Sequence, residues 1–238
     1  MTTHGKRYAQ TVQSLDRDRL HTVEEAVKLV KSTGTAKFNE TVEVHFLTGA
    51  DPKQADQLIR GVTVLPHGLG KQTRVLVFAG GEDAQIAKEA GADYVGLEDL
   101  ITKIEGGWVD FDVSLAVPDV MAQIAKLGRV LGRRGLMPNP RTGTMAQAQD
   151  LPRIIEEAKK GRLEYRMDRN GIIHSTIGKA DFNETQLFEN LVSLVDAIVR
   201  SRPSGIKGSL FKTTYICTTM GPSINIDPSS LLDLKVDA

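Results

Sequence analysis

The sequence predicts an α/β protein of two domains, one built from both ends of the chain and one inserted between them. Near both ends, the predicted strands alternate between apolar and polar residues, as in strands with one exposed face. In the middle third, apolar strands alternate with helices, which favours parallel strands covered on both faces. The 238 residues, 40% of them hydrophobic, fit one large or two small globular domains. Residues 1–67 and 160–238 are predicted to form the discontinuous domain, and residues 68–159 the inserted one.

The N-terminal segment predicts one helix and two strands. Thr22–Glu25 has the spacing of a capping box, so an amphipathic helix is expected to begin there and to end near Gly34. Thr41–Phe46 alternates strictly and predicts a strand whose polar face carries Thr41, Glu43 and His45. Gly61–Leu65 predicts a second short strand, which the turn-like Pro66–Lys71 follows.

The middle third predicts strands and helices in alternation. From Val75 onward, the strand Arg74–Ala79 is continuously apolar, as expected for a strand covered on both faces. Such alternation is typical of βαβ units and a parallel, doubly wound sheet. The later elements are a helix at Glu82–Ala90, a strand at Tyr94–Val95, a helix at Glu98–Glu105, a strand at Val113–Val117, a helix at Asp119–Lys126 that Pro118 starts, a Gly/Pro-rich loop at Gly128–Gly143 and a helix at Leu151–Lys160.

The C-terminal segment returns to half-exposed strands and a long helix. Leu163–Met167 and Ile172–Ile177 flank an Asn-Gly pair, which predicts a β-hairpin. Glu184–Ser201 is amphipathic, and the helix is expected to stop before Pro203. Phe211–Met220 alternates again and predicts a last strand, whose polar face carries Thr213, Tyr215, Cys217 and Thr219.

Several classes of protein are excluded by what the sequence lacks. No apolar run approaches the length of a membrane span, so no membrane partner is expected. Met1–Tyr8 has a basic start without the apolar region of a secretory signal, and the chain is expected to be cytoplasmic. The lone Cys217 argues against an intrachain disulfide and a Cys-based zinc cluster. The five histidines show no zinc-binding spacing, so no metal ligand is assigned.

No catalytic residue emerges from the motifs, and no cofactor or small-molecule substrate is expected. His67–Lys71 lacks the first glycine and the Ser/Thr of a Walker A loop. Val77–Glu82 follows a strand as a dinucleotide-binding turn does, but it lacks the G-x-G-x-x-G pattern and is followed by acidic residues. A nucleotide-binding enzyme or sensor that uses the middle domain remains the alternative to a binding protein.

The balanced net charge hides two windows without acidic residues. Residues 120–149 contain Lys126, Arg129, Arg133, Arg134 and Arg141. Residues 197–226 contain Arg200, Arg202, Lys207 and Lys212. Two such windows favour local contacts with a polyanion, although solvated basic loops without function are the alternative.

Two short motifs inside these windows favour RNA. Gly132–Gly135 has the GxxG spacing of a KH loop, where glycines let the backbone approach a phosphate. Thr218–Ser223 offers hydroxyls and a Met beside a Gly-Pro break, which suits contact with ribose 2′-OH groups; a strand that simply ends in a turn is the alternative. Because Val suits a strand, Thr219→Val is expected to leave the fold stable. Only 5% of the residues are aromatic, which argues against base stacking as the main mode.

Five strings, taken together and in order, closely resemble the bacterial members of the ribosomal protein L-one family, proteins of the mobile stalk of the large subunit. The resemblance runs from His4 to about Asp227, and the last dozen residues form an extra tail. The strings are Ala36–Val44, Leu65–Lys71, Gly91–Val95, Gly128–Pro140 and Thr218–Pro222.

The resemblance implies a fold, a function and a set of contacts. It implies an α+β RNA-binding domain made by both termini, with an inserted Rossmann-like three-layer α/β domain. It also implies a ribosome-associated protein that is not an enzyme, that binds large-subunit ribosomal RNA, assists release of deacylated exit-site tRNA and represses its own mRNA. The expected rRNA-binding residues are Lys37, Phe38, Thr41, Glu43, His45, Thr213, Thr219, Met220 and Gly221, with secondary basic contacts from Arg129, Arg133, Arg134 and Arg141.

The chain departs from the family pattern at two positions. Arg133 stands where the family commonly has proline, which raises the charge of that loop. Cys217 stands where Thr or Ser is expected, which removes a hydroxyl from the polar strand face.

Overall fold

A computed structural model describes residues 5–13, 15–16 and 19–232 of the chain. Outside them lie residues 1–4, at the start of the segment Met1–Tyr8, and residues 233–238, at the end of the predicted tail. The strands are β1 Thr41–Thr48, β2 Arg60–Val64, β3 Val75–Phe78, β4 Tyr94–Gly96, β5 Val113–Ala116, β6 Arg162–Arg166, β7 Ile172–Lys179, β8 Phe211–Thr218 and β9 Ile224–Ile226. The helices are α1 Lys6–Gln13, α2 Val23–Thr33, α3 Gly81–Glu89, α4 Glu98–Glu105, α5 Met121–Ile124, α6 Gly128–Leu131, α7 Leu151–Lys160, α8 Glu184–Arg200 and α9 Pro228–Leu232.

The chain divides into two compact units, each with its own hydrophobic core. One unit is Met1–Gly70 with Leu163–Ala238, and the other is Lys71–Arg162. These boundaries lie three residues beyond the predicted ones, because the carbonyl of Gly68 accepts from the amide of Asn190 and Arg162 donates to the carbonyl of Thr142. The mixed α/β class predicted from the sequence is confirmed. Among the described residues, no helix is long and apolar enough to cross a membrane.

The unit that contains both chain ends is a four-stranded antiparallel sheet backed by helices. Its strand order is β7-β1-β8-β9, so β1 is central. The Thr22 capping box starts α2 as predicted, and α2 and α8 bury their apolar stripes against one face of the sheet. Strand β1 alternates as expected: Val42, Val44 and Phe46 are fully buried. The polar residues between them therefore lie on the opposite, uncovered face.

The predicted hairpin around Asp168–Gly171 forms only its turn. Met167 and Ile173 make an isolated antiparallel bridge. Beyond it the two strands separate, because β6 pairs with β2 in a second, two-stranded sheet and β7 pairs with β1. The turn itself is tied by Asp168, whose carboxylate accepts from the N–H groups of Asn170 and Ile172.

The unit Lys71–Arg162 contains a three-stranded parallel sheet of order β4-β3-β5. The whole of β3 is buried, as its apolar sequence predicts. Val75 and Val77 pack on one side with residues of α3 and α7, whereas Leu76 and Phe78 pack on the other with α4, α5 and α6. Helices therefore cover both faces of the sheet.

The segment predicted as a helix over Asp119–Lys126 followed by a loop is instead a broken helical run. Pro118–Val120 and Ala125–Leu127 are 3₁₀ turns that flank α5. The predicted loop then begins with α6 and a further 3₁₀ turn at Gly132–Arg134. Leu127 and Leu131 are buried in the core beside Leu76, and this burial holds the run helical despite its glycines.

Candidate nucleic-acid interface

The uncovered face of the β7-β1-β8-β9 sheet collects most of the residues predicted to bind RNA. Thr41, Glu43 and His45 are half-buried along β1. Register places Cys217 opposite Glu43, Tyr215 opposite His45 and Thr213 opposite Leu47 on β8. The two predicted groups of contacts, which are 170 or so residues apart in sequence, therefore share one surface.

One corner of this face is held by Glu40, which sequence reasoning did not select. Its side chain is 2% exposed. One carboxylate oxygen accepts from the N–H of Ala36 at 2.8 Å, and the other accepts from the N–H of Met220 at 2.8 Å. Burial alone raises a carboxyl pKa, but these two backbone donors, with Thr218 and Arg7, hold the pKa of Glu40 below its ordinary value. An ionised Glu40 thus ties the segment 36–40 to the turn after β8.

Thr219 makes a second connection across the same corner. Its hydroxyl accepts from the N–H of Thr41 at 3.0 Å and lies 3.3 Å from the carbonyl oxygen of Thr41. The N–H of Thr219 also donates to that carbonyl at 3.0 Å. Thr219 lies just beyond the end of β8, and its hydroxyl already serves the fold. We therefore expect Thr219→Val to weaken the fold, contrary to the expectation from strand propensity.

The turn after β8 requires glycine at position 221. The N–H of Gly221 donates to the carbonyl of Thr218 at 3.1 Å. A Cβ at this position would collide with the hydroxyl of Thr218, which is itself buried. The third predicted residue of the turn, Gly221, therefore shapes the site by its lack of a side chain.

Large apolar side chains are exposed on this surface. Phe38 is 55% exposed and Met220 is 53% exposed, although both are among the most hydrophobic residue types. The two hydrogen bonds that Glu40 accepts hold the segment of Phe38 and the turn of Met220 together at one corner. Tyr215, on the sheet itself, is 36% exposed. Exposed apolar side chains that lie close together are typical of a binding surface.

Positive charge borders the same corner. Lys37 is exposed, and the ammonium group of Lys179 donates to the hydroxyl of Thr41 at 2.8 Å. Arg7 donates to the carbonyl of Thr35 at 3.5 Å. The sequence missed Lys179 because the residue lies on β7, far from both predicted motifs, and only the pairing of β7 with β1 brings it there.

The centre of the face is a cluster of titratable groups. The Nδ1 atoms of His45 and His174 are 2.9 Å apart, and His45 Nε2 is 3.5 Å from Cys217 Sγ. Burial, with the nearby His174, lowers the pKa of His45. Burial, with the Glu43 carboxylate, raises the pKa of Cys217 to about 11, so this thiol is protonated at neutral pH and is a poor nucleophile.

The secondary basic contacts lie in the unit Lys71–Arg162 and not on the sheet face. The side chains of Arg129, Arg133, Arg134 and Arg141 are all exposed. Gly132–Gly135 does not form a KH-type loop: Gly132 is helical, and Gly135, at φ +70°, ends the 3₁₀ turn in the left-handed conformation. The GxxG spacing arises here from a helix end, which leaves the two arginines of the motif on the surface.

The second basic window is partly used by the fold. Arg200 pairs with Asp196 at 2.8 Å, one helical turn away. Arg202 donates to the carbonyls of Ile206 and Gly208 and so ties the loop before β8. Only Lys207 and Lys212 of this window are exposed without such a tie in the described structure.

The turn after β3 does not favour a dinucleotide site. Gly80 caps α3, and Gly81 lies at φ +56°. Glu82 and Asp83 occupy the first turn of the helix, where a pyrophosphate would need the backbone N–H groups and a positive potential. The negative charge of these carboxylates opposes a phosphate ligand there.

Comparisons with known proteins show the family to which this chain belongs. Residues 29–222 match the family described as "Ribosomal protein L1p/L10e family", a range that includes every predicted rRNA contact. Two relatives from strains of Dehalococcoides mccartyi, each named "Large ribosomal subunit protein uL1", are 53% identical over 227 residues, which cover 95% of this chain and 96% of each relative. A protein of the same name from Thermomicrobium roseum is 50% identical over 234 residues, which cover 98% of this chain and 97% of that protein. The chain belongs to the ribosomal protein L1p/L10e family.

Proposed function

We propose that this chain is a structural rRNA-binding protein of the large ribosomal subunit and that the uncovered sheet face, with the corner fixed by Glu40, binds the rRNA. One observation carries the proposal: Phe38 and Met220 are held exposed beside Thr41 and Thr219, on residues that the family match covers. The relatives' printed name, a large-subunit protein, supports the same function and a ribosome-associated place in the bacterial cytoplasm.

The chemistry of the face suits a preformed RNA fold better than a bare phosphate chain. Glu43 is a poor neighbour for a phosphate, but its carboxylate accepts from a 2′-OH or a base amine. Phe38 and Met220 offer apolar area to a sugar or to an unstacked base. Lys37 and Lys179 supply the few phosphate contacts at the border. Recognition therefore rests on shape and ribose hydroxyls.

Two finer roles follow from the same surfaces. A messenger that folds like the rRNA site would compete for the same face, which gives repression of the protein's own mRNA whenever the protein exceeds its rRNA. The exposed Arg129, Arg133, Arg134 and Arg141 suit sequence-independent contact with the backbone of exit-site tRNA, whose release the protein would assist.

A filter-binding titration tests the proposal with a stalk fragment of large-subunit rRNA and a random RNA of equal length. We expect a shallow log–log salt slope of about −2 to −4 for the stalk fragment, because few phosphates are neutralised. Phe38→Ala should lower stalk affinity by about 5–150-fold if the ring stacks on a base. Leu58→Ala is the matched control, because Leu58 is exposed on the same unit but outside this face.

The Arg133→Ala, Arg134→Ala double variant should weaken random-RNA binding more than stalk binding. A stalk slope near about −8, the value for some nine phosphate contacts, would show that the protein binds as an electrostatic patch. If Phe38→Ala and Leu58→Ala lower the stalk affinity equally, the rRNA site lies elsewhere.

A further inference from the structure

Three metal-ligating atoms of different types meet at the centre of the uncovered face. His45 Nε2 lies 3.5 Å from Cys217 Sγ and 4.0 Å from Glu43 Oε2. One ligand atom from each of these residues lies within 4.8 Å of the other two. The antiparallel pairing explains the cluster, because Glu43 is directly opposite Cys217 and His45 is the next residue on the same face of β1.

We propose that Glu43, His45 and Cys217 form a Zn²⁺-binding site with three protein ligands and a fourth position open to water. In a tetrahedral zinc site, the usual bond lengths separate a nitrogen and a sulfur ligand by about 3.6 Å and a nitrogen and an oxygen ligand by about 3.4 Å. The first separation is already met, and the second needs only a small rotation of the Glu43 side chain. Thiolate with imidazole favours zinc over magnesium or calcium, which prefer oxygen ligands.

His174 supplies the outer support that such sites use. A zinc-bound histidine donates its other ring N–H to a second group, which fixes its tautomer and orientation. His45 Nδ1 is 2.9 Å from His174 Nδ1, and His174 Nε2 is 3.7 Å from Asp168 Oδ2. When His45 Nδ1–H donates to His174, His45 Nε2 is left with its lone pair directed at the proposed ion.

The site is accessible to a cation. The side chains of His45 and Glu43 are 29% and 36% exposed, and Cys217 is half-buried. Binding converts the Cys217 thiol to a zinc thiolate and releases its proton to solvent, so one proton leaves for each ion bound. The lone cysteine predicted no Cys-based zinc cluster, but a site of one Cys, one His and one Glu on adjacent strands needs only one thiolate.

The site shares its face with the proposed rRNA contacts. A bound ion would occupy Glu43 and His45 and would place positive charge where the carboxylate now lies. We therefore expect Zn²⁺ to change the affinity for the stalk rRNA fragment. This coupling rests on the proposed function, whereas the ion site itself does not.

The test uses the untagged full chain, without RNA, and Co²⁺ as a spectroscopic substitute for Zn²⁺. One equivalent of Co²⁺ should give the intense visible bands of a tetrahedral ion and a thiolate-to-cobalt charge-transfer band, and Zn²⁺ should displace it. Cys217→Ser should abolish the charge-transfer band. His174→Gln should weaken binding by about 10–100-fold and keep the band, as expected for an outer-shell residue.

His67→Gln is the matched control, because His67 also contacts a carboxylate, that of Glu189, away from this face. It should leave the cobalt spectrum unchanged. Weak octahedral bands without charge transfer, or equal affinity of the wild type and Cys217→Ser, would overturn the site. Thermal unfolding checks that each variant folds, and Cys217→Thr repeats the test should the serine variant not fold. A tetrahedral spectrum without any effect of Zn²⁺ on rRNA affinity would overturn the coupling alone.

Discussion

At the scale of single residues, Glu40 and Thr219 hold the candidate surface, and of these two only Thr219 was selected from the sequence, as an RNA contact. Phe38 and Met220 are exposed, as contact residues should be. The polar side-chain atoms of Glu40 and Thr219 instead accept hydrogen bonds from the backbone. A glutamate is ordinarily exposed, and its sequence neighbours gave no sign that two N–H groups from distant segments would converge on it. The side chains of Phe38 and Met220 are therefore exposed as expected, whereas the support by Glu40 had no local signal in the sequence.

Glu40→Gln tests the support. The neutral amide keeps the shape but can accept from only one of the N–H groups of Ala36 and Met220, because its NH₂ group faces the other. A buried donor left unpaired costs about 1–3 kcal/mol, so we expect the free energy of unfolding at neutral pH to fall by that amount. Urea unfolding measures it, with Glu164→Gln, an exposed glutamate on β6, as the control.

The loss should depend on pH in one direction. The folded pKa of Glu40 lies below its ordinary value, so the ionised carboxylate stabilises the fold above that ordinary value. The contribution disappears as the pH falls through the lowered folded pKa. The stabilities of the wild type and of Glu40→Gln should therefore converge in acid. A gap that stays constant down to acid pH would mean that the amide fails for reasons of packing.

At the scale of elements, the local hydropathy pattern predicted the buried face of a strand or helix wherever that burial does not depend on the choice between distant partners. The alternation of β1 and the continuous apolar run of β3 predicted their faces, and the Thr22 capping box predicted where α2 begins. The pattern failed where distant strands compete. The Asn-Gly turn forms after β6, yet β6 pairs with β2 instead of β7, and no local signal distinguishes these partners. The glycines of Gly128–Gly143 also predicted a loop, but the burial of Leu127 and Leu131 keeps α6 helical there.

Asn190 interrupts the apolar face of α8, yet its side chain supports the packing of several elements. It is fully buried in α8. Its amide donates to the carbonyls of Gly68 and Ile177 at 3.0 and 2.7 Å and accepts from the N–H of His67 at 3.0 Å. One side chain therefore joins the helix, strand β7 and the end of the segment that leads out of this unit.

Asn190→Leu should cost more stability than an ordinary surface change. The substitution conserves volume but leaves three backbone groups without their partner. The buried carbonyl of Ile177 costs about 1–3 kcal/mol and the part-buried groups of His67 and Gly68 cost less, so we expect a total loss of about 2–5 kcal/mol. Ser193→Ala, a half-exposed position on the same helix, is the control and should change stability by less than about 0.5 kcal/mol. Equal, small effects of both variants would mean that water replaces the amide.

At the scale of the whole molecule, the two units differ in how their strands are buried. Strands with one exposed face belong to the unit of both chain ends, and strands covered on both faces belong to Lys71–Arg162. The cores are separate: one cluster contains residues from Leu15 to Leu65 and from Leu163 to Leu231. The other clusters contain residues from Val75 to Ala158. Hydropathy indicates which faces are covered, but it carries no information about single hydrogen bonds such as that from Asn190 to Gly68, which move the boundary by a few residues.

These separate cores make a test by excision possible. We expect that replacing Lys71–Arg162 by a short Gly/Ser linker leaves a protein that unfolds cooperatively, because its core cluster contains no residue of the excised unit. Stalk rRNA affinity should stay within about tenfold of the full chain, a difference of about 1.4 kcal/mol, since every proposed contact on the sheet face is retained. Random-RNA binding should fall further, because the excision removes Arg129, Arg133, Arg134 and Arg141.

The isolated unit Lys71–Arg162 is the control and should not select the stalk fragment. Calorimetry and filter binding give both readouts: a product without a cooperative transition would show that the sheet unit depends on the insertion, and a folded product that has lost stalk binding would place the rRNA site in the excised unit.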